Sequence, residues 1–174
     1  MGKKMEKVDN RGMSLVEIIV VLAFMAVIAG MAGYGLNLVS KKPVEECTKK
    51  VEIVLNRNRT NSMGKKEAWV EFYVKDGRVT VLEYTLSGRT GATAQTTEAV
   101  IGDKDVNLRF TYNDGSEVAL DATHRRIAFT RDSGALVSEA DGRVCTKIEV
   151  YKVSTGYKKT IELVELTGKV RILD

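Results

Sequence analysis

A chain of 174 residues with 44% hydrophobic, 29% charged and 6% aromatic residues has the length and composition of about one folded domain. One proline excludes polyproline stalks and ligands, fifteen glycines without a Gly-x-y period exclude collagen, and two cysteines without a Cys-x-x-Cys, beside one histidine, exclude a structural zinc site or a dense disulfide scaffold. The net charge of +4, from 27 basic against 23 acidic residues, is a small excess that points only weakly to nucleic acid and equally suits a membrane surface.

The chain opens on a basic leader, MGKKMEKVDNRG, with Lys3, Lys4, Lys7 and Arg11 against Glu6 and Asp9. Nineteen residues from Ile18 to Leu36 then carry no charge and no strongly polar side chain. As a helix they rise about 28 Å, close to the roughly 30 Å hydrocarbon core of a bilayer, so the run reads as a membrane span. It differs from a secretory signal in its length and in the missing small-residue cleavage pattern. Lys41, Lys42, Lys49 and Lys50 beyond the span equal the four basic residues before it, so charge does not orient it. Twelve residues are too few for a domain, which places the folded mass after the span.

Gly12-Met13-Ser14-Leu15-Val16-Glu17, followed by the apolar run, resembles the processing site of type IV prepilins and pseudopilins. The resemblance implies that a membrane aspartyl peptidase on the cytoplasmic side cuts between Gly12 and Met13 and methylates the new terminus. Met13 departs from the family's commonest first residue, Phe, while Gly12 and Glu17 match. It also implies a protein that is single-pass in the cytoplasmic membrane before assembly, with a short cytoplasmic N-terminus and an extracytoplasmic head, and that later enters a pilus or pseudopilus. A carboxylate costs up to about 2.5–3.5 kcal/mol at the centre of a span. In this family the acid corresponding to Glu17 offsets the N-terminal ammonium of a neighbouring subunit, which makes Glu17 the candidate assembly residue. Gly30, Gly33 and Gly35, with Ala26 and Ala29, give small-residue spacings suited to close helix approach.

Pro43 stands where the helix leaves the span, as the start of a new helix or a kink in a continuing one. Val44, Cys47, Val51, Val54 and Leu55 follow at helical spacing and predict an amphipathic segment with one buried stripe. Alternation and turn signals then predict strands near 67–75, 78–86, 105–112, 116–120, 126–130, 135–138, 143–153, 157–166 and 169–173. The dipeptides Asp76-Gly77, Asp114-Gly115, Ser133-Gly134, Asp141-Gly142 and Thr155-Gly156 mark the turns. Ser87–Thr97, small and polar, reads as a mobile loop.

Leu55-Asn56-Arg57-Asn58-Arg59, the strands through Phe72 and Asp76-Gly77, Ile127-Ala128-Phe129 before Ser133-Gly134, and Leu166-Thr167-Gly168-Lys169-Val170 resemble the H-type pseudopilins and FimT-like minor pilins. The implied fold is α+β and pilin-like: a long N-terminal helix, one half membrane-spanning and one half amphipathic, packed on an antiparallel β-sheet head. The implied organisation is a leader over 1–12, a transmembrane and assembly helix over 13–42, an amphipathic helix over 43–66 and a β-rich extracytoplasmic head over 67–174.

Among chemical motifs there is no phosphate-binding Gly-x-x-x-x-Gly-Lys-Ser/Thr, no His-Glu-x-x-His and no Gly-x-Ser-x-Gly, so the chain is read as no enzyme, with no cofactor and no metal. Asp103, Asp105 and Asn107 imitate the start of a calcium loop, but Leu108 stands where the turn requires glycine. His124, beside Arg125 and Arg126, reads as a solvated turn residue. Cys47 and Cys145 are the candidate disulfide, although strand alternation puts Cys145 on the face of Lys147 and Glu149 unless a bulge reverses it. Gly168-Lys169-Val170-Arg171 resembles the Gly-Arg-x-Arg of DNA-uptake minor pilins with Lys for the first Arg, which makes Lys169 and Arg171 candidate DNA contacts; alternation alone would leave both merely solvated.

The expected function is a noncatalytic, minor subunit of a type IV pilus or of a secretion- or competence-type pseudopilus. Its expected partners are other pilin or pseudopilin subunits, the prepilin peptidase, the inner-membrane assembly platform and membrane lipid, with DNA less favoured. The rival reading is a permanently membrane-anchored extracytoplasmic binding protein, including a DNA-binding minor pilin.

Overall fold

The computed structural model describes residues 15–88 and 93–173, with side chains given throughout except at residues 31–40. Contacts divide the chain into two compact units, Met1–Val39 and Ser40–Asp174. A helix, α1, spans Leu15–Gly64 with Pro43 inside it. In the first unit every residue of α1 from Leu15 to Gly30 is exposed.

In the second unit α1 presents Val44, Cys47, Val51, Val54 and Leu55 as one buried stripe, at the spacing that puts residues on a single helix face. Nine strands follow among the described residues: β1 (Glu67–Lys75), β2 (Arg78–Leu86), β3 (Gln95–Val100), β4 (Val106–Tyr112), β5 (Glu117–Ala119), β6 (Arg125–Ala128), β7 (Cys145–Lys152), β8 (Lys158–Val164) and β9 (Lys169–Leu173). They form a four-stranded sheet in the order β3-β2-β1-β6 and a five-stranded sheet in the order β5-β4-β7-β8-β9, all pairings antiparallel. Inward residues of both sheets, among them Val70, Phe72, Val81, Leu108, Phe110, Ile148 and Ile161, join the α1 stripe in one core.

These observations correct the expected pilin-like fold. The head is two antiparallel sheets rather than one, and the helical residues in its core begin at Val44. The expected single-pass location, with a cytoplasmic N-terminus and an extracytoplasmic head, is corrected as well. Among the described residues no helix is long and apolar enough to cross a membrane. The apolar stretch with described side chains, residues 15–30, rises about 24 Å against a bilayer core of about 30 Å, and Glu17 lies in its first turn.

Two further differences concern strands. Gln95–Val100, expected within or beside a loop, pairs with β2 as β3, while residues 89–92 lie outside the described residues. All six β3 residues are exposed, so no apolar alternation could announce the strand. The segment 135–138, expected as a strand, makes only an isolated bridge between Leu136 and Phe129.

Two glycine-dependent turns shape the head. β1 and β2 are joined by Asp76-Gly77 with φ of 52° and 71°, the two-residue left-handed turn that suits a twisted hairpin. Gly168, φ 59°, precedes β9, and a Cβ there would lie 1.9 Å from the Gly134 carbonyl oxygen. The Arg59 side chain of α1 reaches the same place, its Nε donating to the Thr167 carbonyl at 2.9 Å.

Candidate functional site

Of the residues expected to carry assembly, Gly12 and Met13 lie outside the described residues. Glu17 lies in the first turn of α1, where the partial positive charge of the helix N-terminus favours a carboxylate. Around it Leu15, Val16, Ile18, Ile19, Leu22 and Phe24 are exposed, from 46% at Ile18 to 74% at Leu15. Residues 15–30 thus present an apolar surface open to their surroundings, with Glu17 as the one acid among them.

Cys47 and Cys145 are both buried and both free, so the candidate disulfide is not formed. Their thiols are pushed up to about 12, in each case chiefly because burial removes the water that would solvate a thiolate. Such thiols are poor nucleophiles. The inward turn of Cys145 comes from a bulge: Thr111 pairs with Lys147 but Tyr112 pairs with Cys145, which leaves Thr146 over and reverses the alternation.

Lys169 and Arg171 are exposed on β9, an edge strand, while Val170 between them is buried. The two cations therefore share one solvated face, as strand alternation alone would place them. Asp105 receives the Ser154 hydroxyl and backbone N–H and lies 3.8 Å from Lys152 Nζ, and Asn107 donates to the Leu120 carbonyl. Those bonds hold the β7–β8 turn and the β5 end against β4. Among the described residues no group of three or more metal-ligating side chains converges.

A concentration of chemistry that the sequence did not announce lies on the four-stranded sheet. The register sets Trp69 opposite Tyr84, and their rings stack at 4.7 Å with 8° between planes. The Arg126 guanidinium lies 4.7 Å from the Trp69 ring centroid and 3.8 Å from Glu67. His124 is not simply a solvated turn residue: its ring stacks on Tyr73 at 4.1 Å, and its Nδ1 is 2.7 Å from Glu71 Oε2. The Tyr73 hydroxyl donates to Glu98, which also receives Lys75 Nζ at 2.6 Å. Lys75 and then Tyr73 hold the Glu98 carboxyl below its ordinary range. Each contact joins β1 to another segment of the chain, from β2, β3, β6 or His124 just before β6, so only the tertiary pairing could reveal the row.

At the end of that sheet, β6 borders a cleft of about 510 Å³ lined by His124, Arg125, Arg126, Ala128, Val137 and Glu139, among others. Arg125, half-buried, lies within electrostatic reach of Asp121 and Tyr112, and its Nε is shut off from solvent with no hydrogen-bond partner among the described residues. Glu139 on the facing wall accepts the Tyr112 hydroxyl at 2.8 Å and lies 3.6 Å from Arg143. Burial first, and then this bond, raises the Tyr112 phenol above its ordinary value.

No family description, no curated protein and no solved structure matches this chain.

Proposed function

We propose that this chain is a noncatalytic structural subunit of a type IV pilus or related pseudopilus, processed between Gly12 and Met13 and assembled through its N-terminal helix. The observation that carries the reading is the exposed apolar surface of residues 15–30 with Glu17 in its first turn. Contiguous apolar surface of this extent marks an interaction site, because water leaves it exposed only at a cost of about 25 cal/mol per Å². Copies packed side by side through this stretch would cover it. Within such a bundle a carboxylate needs a cation, and the free ammonium of a processed neighbour supplies one; losing one partner of a buried ion pair costs about 3–5 kcal/mol. The prepilin-like motif from Gly12 to Glu17 supports the same reading, and the other partners proposed are the prepilin peptidase and the assembly platform.

Two measurements test it. Mass spectrometry of the chain isolated from its own cells should find residues 1–12 removed and one methyl group added at Met13; an intact Met1 contradicts the proposal. Glu17→Ala should yield a cleaved, folded protein that is largely absent from sheared filaments. Recovery of that variant in filaments at the wild-type ratio would remove Glu17 from assembly.

A further inference from the structure

β3 is joined to its sheet by little besides backbone. It is an edge strand, and its six residues are exposed at every position, so no buried apolar side chain holds it down. The two-residue turn at Asp76-Gly77 makes Lys75 and Arg78 a hydrogen-bonded pair, and in an antiparallel ladder residues bonded to one neighbour alternate with residues bonded to the other. Thr80, Leu82 and Tyr84 therefore bond to β1, and Val79, Val81 and Glu83 to the opposite side. The Ile101 N–H, donated to the Val79 carbonyl at 2.9 Å, confirms that set, and Ala99 and Thr97 continue it along β3. These bonds lie at a solvated edge, and segments with few buried contacts are the first to open.

One end of the strand is pinned. Ile101 belongs to the core, and its N–H and that of Gly102 both reach the Val79 carbonyl. Gly102 is packed so closely that a Cβ there would lie 3.1 Å from the Val79 Cβ and 3.2 Å from the Cys47 Sγ. Within β3, among the described residues, one side chain ties the strand inward: Glu98 accepts the Tyr73 hydroxyl at 2.7 Å and Lys75 Nζ at 2.6 Å. Both donors belong to β1, so the tie crosses over β2 and fastens the outer strand to the strand beyond its neighbour. What β3 covers is of another kind. Its own side chains are mostly polar, whereas β2 carries Val79, Val81, Leu82, Tyr84 and Leu86, and an uncovered edge of that composition is a template for further strands.

We propose that β3 is a strap, hinged at Ile101 and Gly102 and latched by Glu98, which opens as a unit and bares the backbone edge of β2 while the rest of the sheet stays closed. Protonation of Glu98 releases it. Hydrogen bonds from Lys75 and then Tyr73 hold the latched carboxyl below its ordinary 4.5, so the latch is complete above that value and is lost as the pH falls through the lower, latched one. His124 adds attraction from the side of β6, and Glu71, Asp76, Arg78 and Lys104 are the other charges close to the latch. The strap lies within the second unit and does not rest on the assembly role of the helix.

Residue-resolved hydrogen exchange of the full chain tests it. In the wild type the amides of Thr97 and Ala99 should share one opening with those of Val81 and Glu83, while Thr80, Leu82 and Tyr84 of the same β2 stay protected. Glu98→Gln should speed exchange of the first set about three- to fivefold, the scale of a half-exposed ion pair, and leave the second set and Ile101 unchanged. Tyr73→Phe keeps the ring that stacks on His124 and removes one donor, so it should give a smaller rise. Between pH 6 and pH 3, protection corrected for intrinsic exchange should fall in the first set by the same factor as in Glu98→Gln at neutral pH. Glu71 and Asp76 are carboxyls too, so the latch is read as the difference between wild type and Glu98→Gln, which should vanish in acid. The proposal is overturned if Glu98→Gln leaves the first set unchanged or loosens both sets of β2 amides equally, or if the difference between the two proteins persists at pH 3.

Discussion

At Cys47 and Cys145 folding moves the thiol from an ordinary value of 9.0 up to about 12, and the sign of that shift fixes how stability depends on pH. A group whose folded value is raised contributes its full stability below the unfolded value and loses it as the pH climbs toward the folded one. The unfolded thiols ionise from about pH 9 while the folded ones stay neutral, so alkali favours unfolding. Each thiol adds a slope approaching about 1.4 kcal/mol per pH unit. Denaturant titrations between pH 8 and 10 should therefore give an unfolding free energy that falls with pH, less steeply in Cys47→Ala than in wild type; equal slopes would mean that Cys47 is not desolvated. The burial of Cys47 was legible, because it lies on a helical stripe. That of Cys145 was not, because one extra residue at Thr146 reverses the face, and nothing local distinguishes a bulged strand from a regular one.

At the scale of elements, the later part of α1 shows how a stripe outweighs its neighbours. Leu55 is fully buried while Ile53, two positions away, is 54% exposed, although both are large and apolar. Leu55→Ala should lower stability by about 2–5 kcal/mol, lost transfer energy plus a cavity, whereas Ile53→Ala should change it by less than about 0.5 kcal/mol. Urea unfolding of the two variants separates them, and comparable losses would place Ile53 in the core. Strands announced by alternation, such as β4 with its Val106, Leu108, Phe110 and Tyr112 turned inward, were legible residue by residue. β3 was not, since an edge strand exposed at every position is held by the backbone of β2 and by nothing its own side chains reveal.

For the molecule as a whole, the division at Val39 and Ser40 separates two kinds of surface. The second unit holds the core formed by the α1 stripe and both sheets, while residues 15–30 of the first are exposed. Residues 40–174 produced alone should therefore unfold in one cooperative step with strand-rich circular dichroism. They should sediment as a monomer under conditions in which the full chain self-associates. Loss of cooperative unfolding on truncation would mean that the head needs the first unit; association that survives truncation would move the self-association surface into the head and weaken the proposed role of the helix.

The one-dimensional pattern by itself determined the buried stripe of α1, the Asp76-Gly77 hairpin, most of the strands and the placement of Lys169 and Arg171 on a solvated face. Each depends on the spacing of neighbours along the chain, and helical and strand periods are written in that spacing. Only the tertiary structure decided that the strands divide into two sheets, that Cys145 turns inward, and that Trp69 stacks on Tyr84 beneath Arg126. Those facts arise from pairing between residues far apart in sequence, whose register is set by the whole core at once rather than by any segment of it.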